Sequence, residues 1–98
     1  MKVDKIIENG SAILAISGRL DTQTAPQLDT EISGIIEEIN ELVFDFKDLE
    51  YISSAGLRVI LKTQKAMNTK GSMKIKNVNE SVMEVFDITG FVDILTIE

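Results

Sequence analysis

The sequence predicts an α/β fold: a mixed sheet of four to five strands with amphipathic helices, in the order ββαβαβα. Three observations carry this. Asn9-Gly10 joins two strand-like runs, and that pair suits a tight hairpin whose central residues both need positive φ. Further on, short apolar runs alternate with stretches whose apolar residues recur every three or four positions, which implies parallel pairs and right-handed crossovers. A length of 98 residues with 44% hydrophobic content suits one domain, residues 1–98, with an ordinary core.

The elements follow in order. Val3–Glu8 and Ala12–Ser17 are the hairpin strands. The second reads Ala12-Ile13-Leu14-Ala15-Ile16 without alternation, which predicts a central strand covered on both faces. A helix is expected over about Ala25–Asn40, with Thr24 and Gln27 as a capping box and Pro26 in the first turn. Its apolar stripe is Ala25, Leu28, Ile32, Ile35, Ile36 and Ile39. Leu42–Phe46 is the third strand. Ser53 or its neighbour caps a helix of about Ser54–Thr69, with Leu57, Ile60, Leu61 and Met67 inward. Lys70-Gly71 stops it, the glycine being free to adopt the left-handed conformation. Met73–Val78 is the fourth strand, Glu80–Thr89 a short helix capped by Asn79 and ended by Gly90, and Phe91–Ile97 a closing segment with edge-strand character.

Composition removes several kinds of chemistry. With no Cys and no His, disulfides, thiolate zinc sites, thiol catalysis and the commonest general base are all excluded. A net charge of −6 disfavours nucleic acid and anionic lipid as partners. Met1-Lys2-Val3-Asp4-Lys5 lacks an apolar signal core, and no apolar run approaches the ~20 residues of a membrane span. The expectation is a soluble cytoplasmic protein with no metal or cofactor, monomeric by default.

The most informative stretch is Tyr51-Ile52-Ser53-Ser54-Ala55-Gly56-Leu57-Arg58, where adjacent hydroxyls sit at a strand-to-helix turn. Amides at a helix start are unpaired and favour negative charge, so a phosphate on that serine is tolerated by the fold while it changes the surface. Plain helix capping by Ser53-Ser54 is the simpler reading of the same residues. Asp21 lies at a strand's C-terminal edge, where sites in α/β sheets collect. It reads equally as a contact to a basic partner or as a turn former ahead of Thr24. Arg58 stands one helical turn beyond Ser54, where it can meet a phosphate or a partner carboxylate, or remain solvated. Asp45 reads as a strand-end polar group near the site rim or as one on a solvated face.

Gly18-Arg19-Leu20-Asp21, Val43-Phe44-Asp45-Phe46, Tyr51-Ile52-Ser53-Ser54-Ala55-Gly56-Leu57 and Thr89-Gly90-Phe91, in this order and spacing, resemble the STAS domain family. Within it the chain is most similar to the single-domain anti-sigma factor antagonists. The resemblance covers nearly the whole chain, and its most specific element is the serine–glycine–leucine turn. It implies a partner-switching regulator rather than an enzyme. Unphosphorylated antagonist sequesters an anti-sigma factor that is also a serine kinase of the GHKL type. Phosphorylation of one serine releases it, and a metal-dependent phosphatase resets it. The resemblance places the acceptor at Ser54, two residues before Gly56, with Ser53 as the alternate. The family often has aspartate directly before that serine; here the residue is Ser53. The implied partner surface is Asp21, Thr22, Ser53, Ser54, Ala55, Gly56, Leu57 and Arg58.

Two other functions compete. One is a STAS subunit or scaffold of a transport, lipid-trafficking or stress-signalling complex, without the phosphoswitch. The other is a hydrolase with a serine at a nucleophile elbow, against which stand the absence of Gly-x-Ser-x-Gly and of any histidine base.

Overall fold

Asn9 and Gly10 take the positive φ values, 49° and 81°, that the hairpin turn demands. The computed structural model describes residues 1–98. Strands β1 (Lys2–Glu8) and β2 (Ser11–Leu20) pair antiparallel through this turn. Helix α1 (Ala25–Ser33) and a 3₁₀ turn (Ile36–Glu38) lead to β3 (Glu41–Asp45), β4 (Leu49–Ile52) and helix α2 (Ser54–Asn68). Strand β5 (Ser72–Lys76), helix α3 (Glu80–Thr89) and a 3₁₀ turn (Phe91–Asp93) complete the chain. The sheet runs β1-β2-β3-β5, and β4 pairs parallel with the far end of β2. The α/β class with its mixed sheet is as expected, while the expected order ββαβαβα gains one strand, β4, between β3 and α2.

The helices share one face of the sheet. On β2 the buried residues alternate: Ala12, Leu14 and Ile16 face the helices, while Ile13 and Ala15 are half-buried on the other side. This corrects the expectation of a strand covered on both faces. The unbroken apolar run arises because Ile13 sits between Ile6 of β1 and Val43 of β3 on a face without helices. Leu42, Phe44, Met73, Ile75, Val82 and Phe86 join the same core.

Several boundaries differ from the sequence reading for local reasons. Helix α1 stops at Ser33, not Asn40, yet Ile35 and Ile39 still reach the core through the 3₁₀ turn. The amide of Asn40 donates to the Gly10 carbonyl at 2.8 Å, which aims the chain into β3. Thr24 forms no capping box; its side chain makes no helix-cap hydrogen bond. On α2, Leu57, Ile60 and Met67 are buried as expected, but Leu61 is only half-buried and Thr63 and Gln64 take interior positions. Gly71 serves close packing, not a left-handed turn: a Cβ there would sit 1.7 Å from the Asn40 carbonyl oxygen. Asn79 and Gly90 cap α3 as expected, Gly90 at φ 79°. The closing segment contributes only a bridge, Ile97 beside Ile75, and not a strand. No helix is long and apolar enough to cross a membrane.

Candidate functional site

The site forms where β2 and β4 end side by side. Their register aligns Arg19 with Tyr51 and Leu20 with Ile52, and the Ser53 amide then donates to the Leu20 carbonyl at 2.9 Å. That bond brings the serine turn against Asp21, so both expected site segments share one rim of the sheet. The neighbour that achieves this is β4; β3 pairs only with the earlier part of β2.

Ser53 is the cap of α2. Its backbone is extended, and its Oγ accepts from the Gly56 amide at 3.3 Å. The Leu57 amide closes the first helical bond onto the Ser53 carbonyl at 2.9 Å. Ser54, the first helical residue, is exposed, as is Arg58 one turn on. Gly56 is buried, and a Cβ there would lie 2.7 Å from Leu20 Cγ and 3.0 Å from Ile52 Cγ1. The glycine therefore lets the helix start press onto β2 and β4, which fixes where Ser54 points.

These burials correct part of the expected partner surface. Gly56 and Leu57, the latter 6% exposed, are buried beneath the turn instead of exposed on it. Ala55 is half-buried. Thr22, Ser54 and Arg58 stand on the surface, with Asp21 and Ser53 half-buried beside them. The reason is helical periodicity: Ser54 and Arg58 lie on the outward side, and the intervening Gly56 and Leu57 on the inward one.

Asp21 performs the turn role. Its Oδ1 accepts from the Gln23 amide at 3.0 Å and the Thr24 amide at 3.1 Å, and its carbonyl accepts from Ala25 N at 2.8 Å. Thr24 Oγ1 folds back, accepting from Asp21 N and donating to the Arg19 carbonyl, both at 2.8 Å. The Thr24 amide above all, opposed by partial desolvation and helped by the Gln23 amide, holds the Asp21 carboxyl below the usual carboxylate range. A depressed folded value means that this contribution to the turn is present above the ordinary carboxylate pKa and lost as pH falls through the folded one. Carbon-detected NMR titration is expected to give Asp21 a lower midpoint than a free aspartate, with faster Gln23 and Thr24 amide exchange below it. An unshifted midpoint contradicts the turn geometry.

Two contacts near the rim escaped the sequence reading. The Arg19 guanidinium lies 4.2 Å from the Tyr51 ring centroid, a cation–π stack across β2 and β4. Only the β2–β4 pairing creates it, so no spacing in the sequence signals it. Asn79 both caps α3 and donates from Nδ2 to the Leu49 carbonyl at 2.7 Å, tying that helix to β4. Asp45 sits at the end of β3 on the face without helices, its carboxyl held low chiefly by the Asn77 side-chain amide at 2.9 Å. No three Asp or Glu side chains gather in a metal-holding arrangement.

The rim as a whole exposes the Thr22 and Ser54 hydroxyls and the Arg58 side chain. Comparison with known proteins agrees with this architecture. The chain is 36% identical over 83 residues to the anti-sigma-B factor antagonist of Bacillus subtilis, covering 84% of this chain and 76% of that protein. An anti-sigma factor antagonist from Mycobacterium paratuberculosis superposes with a TM-score of 0.89 at 20% identity, covering 98% of this chain and 83% of that one. The anti-sigma factor antagonist SpoIIAA in its unphosphorylated form superposes with a TM-score of 0.85 at 18% identity, covering 99% and 88%. The model of the STAS domain matches residues 2–98, and the chain belongs to that family.

Proposed function

We propose that this chain is an anti-sigma factor antagonist that works by partner switching in the cytoplasm. It binds, through the rim around Ser54, an anti-sigma factor that is also a GHKL-type serine kinase. Transfer of a phosphoryl group to Ser54 releases the complex, and a metal-dependent serine phosphatase restores the hydroxyl. The chain itself is a binding module and not a catalyst. The observation that carries this reading is the exposed Ser54 hydroxyl on the first turn of α2, beside the Asp21 turn. The name of the Bacillus subtilis relative supports it.

The geometry also favours Ser54 over Ser53 as acceptor. The Ser53 oxygen is engaged as the helix cap and is half-buried, whereas Ser54 projects into solvent. Phosphate adds a charge of about −1.5 to −2 at neutral pH, which the unpaired amides and dipole of the helix start tolerate. Release therefore needs no refolding: a doubly charged group placed in the contact must be desolvated or expelled.

The test is reconstitution. Mixed with its kinase partner and no ATP, the chain is expected to form a stable complex. Adding ATP is expected to dissolve that complex as mass spectrometry maps one phosphate to Ser54. A phosphate found only elsewhere, or no complex at all, refutes the proposal.

A further inference from the structure

The sheet face turned away from the helices carries an apolar row that no part of the chain covers. Register aligns Ile6 on β1 with Ile13 on β2, Val43 on β3 and Lys74 on β5. Ile6 is 59% exposed, although it is a large aliphatic residue. The next row is Asp4, Ala15, Asp45 and Lys76, and the row on the other side is Glu8, Ser11, Glu41 and Ser72. On this face β1 carries Asp4 and Glu8 with Lys2 at its start, β3 carries Glu41 and Asp45, and β5 carries Lys74 and Lys76, the last beside Asp45. Lys74 is paired with Glu98 at 3.3 Å, which leaves its methylene stem in the apolar row. Lys76 is in none of the salt bridges, and Asp4 reaches only the exposed Lys2, at 3.9 Å.

We propose that this face is the contact between two copies of the chain, stacked sheet on sheet about a two-fold axis parallel to the strands. Such an axis exchanges the two edges while preserving each row. Asp4 then faces Lys76 of the second copy, and Lys76 faces the second copy's Asp4. Ile13 meets Val43, and Ile6 lies over the Lys74 stem. The charges select this axis over the other choice. A two-fold axis perpendicular to the strands reverses the rows and sets Asp4 against Glu8, two carboxylates in contact. Asp45 enters the contact with its own partners, the Asn77 side-chain amide at 2.9 Å and the Lys47 amide at 3.1 Å. Aligned packing of two twisted sheets is a known arrangement for such faces.

The patch is small. Four strands about 4.8 Å apart, each contributing about five residues at ~3.3 Å, span roughly 14 by 17 Å. That is less than the roughly 800 Å² per partner of a standard interface, so the association is weak and seen at high concentration. The strand-parallel axis has a geometric consequence: both Ser54 rims point to the same end of the dimer. Two docking sites side by side fit a partner that is itself two-fold symmetric, with a gain from effective concentration.

Sedimentation and methyl NMR of the full chain, from micromolar to millimolar concentration, test this. Dimerisation is expected, with concentration-dependent shifts at Ile6, Ile13 and Val43. Ile6→Glu is expected to abolish it. Asp4→Lys and Lys76→Asp are each expected to weaken it about tenfold or more, by replacing two attractions with two repulsions. Mixing these two single variants is expected to restore association, because the mixed pair has two attractions again: one native pair, Lys76 against Asp4, and one of reversed polarity between the two substituted positions. Rescue by mixing requires residue 4 of one copy to face residue 76 of the other and cannot come from a general change in charge or fold. A constant monomer mass up to millimolar concentration overturns the proposal, as does a mixture that associates no better than its components.

Discussion

Ser54→Asp is expected to weaken binding to the kinase partner by about a hundredfold or more, while Ser54→Ala binds like the parent and cannot be released by ATP. The magnitude follows from where the charge lands. Ser54 is exposed in the free chain, so aspartate there costs the fold little, and a carboxylate at a helix start is favourable. Once a partner covers the turn, the same carboxylate is buried without a counter-charge, at a cost of several kcal/mol, and each ~1.4 kcal/mol is a factor of ten. Calorimetry with both variants measures this. If both bind like the parent, the contact lies elsewhere on the molecule and the switch proposal fails.

Leu57→Ala is expected to have the opposite profile: a loss of roughly 2–5 kcal/mol of stability with the binding surface of the folded fraction intact. Leu57 is 6% exposed and packs in the single core cluster, so its removal opens a cavity under the first turn of α2. Against a total stability of about 5–15 kcal/mol, this is a large share. Urea denaturation gives the stability change, and titration with the partner below the unfolding transition gives the affinity. The two variants lie three residues apart and separate the roles of neighbouring side chains. A Leu57→Ala chain that is fully stable but fails to bind would return Leu57 to the docking surface.

The serine turn at the start of α2 was legible because its chemistry is local. A hydroxyl pair between a strand and an amphipathic helix reads directly as a cap, and Ser53 caps α2 through the Gly56 amide. The Asn9-Gly10 hairpin and the Asn79 and Gly90 caps were legible for the same reason: each depends on the φ preference or hydrogen-bonding reach of a few consecutive residues. The Thr24–Gln27 pair shows the limit of such signals. Its spacing suits a capping box, but the Thr24 hydroxyl found Asp21 N and the Arg19 carbonyl instead, since the chain leaving β2 bends back across them. The resemblance implies Gly56 and Leu57 on the partner surface, whereas helical periodicity assigns Leu57 to the interior, where it lies.

The sequence by itself determined the α/β class, the presence of the helices and most strands, and the serine turn that caps α2, because periodicity and capping act over a few residues. Only the tertiary structure decided which face each strand buries, which strand lies beside β2 at the rim, and which side chains meet there. Those outcomes depend on pairings between distant segments, such as Arg19 with Tyr51 and Ile13 with Val43. The same pairings leave one sheet face without helices, and an unbroken apolar strand such as β2 carries no mark in its own residues of whether a helix or a neighbouring strand will shield it.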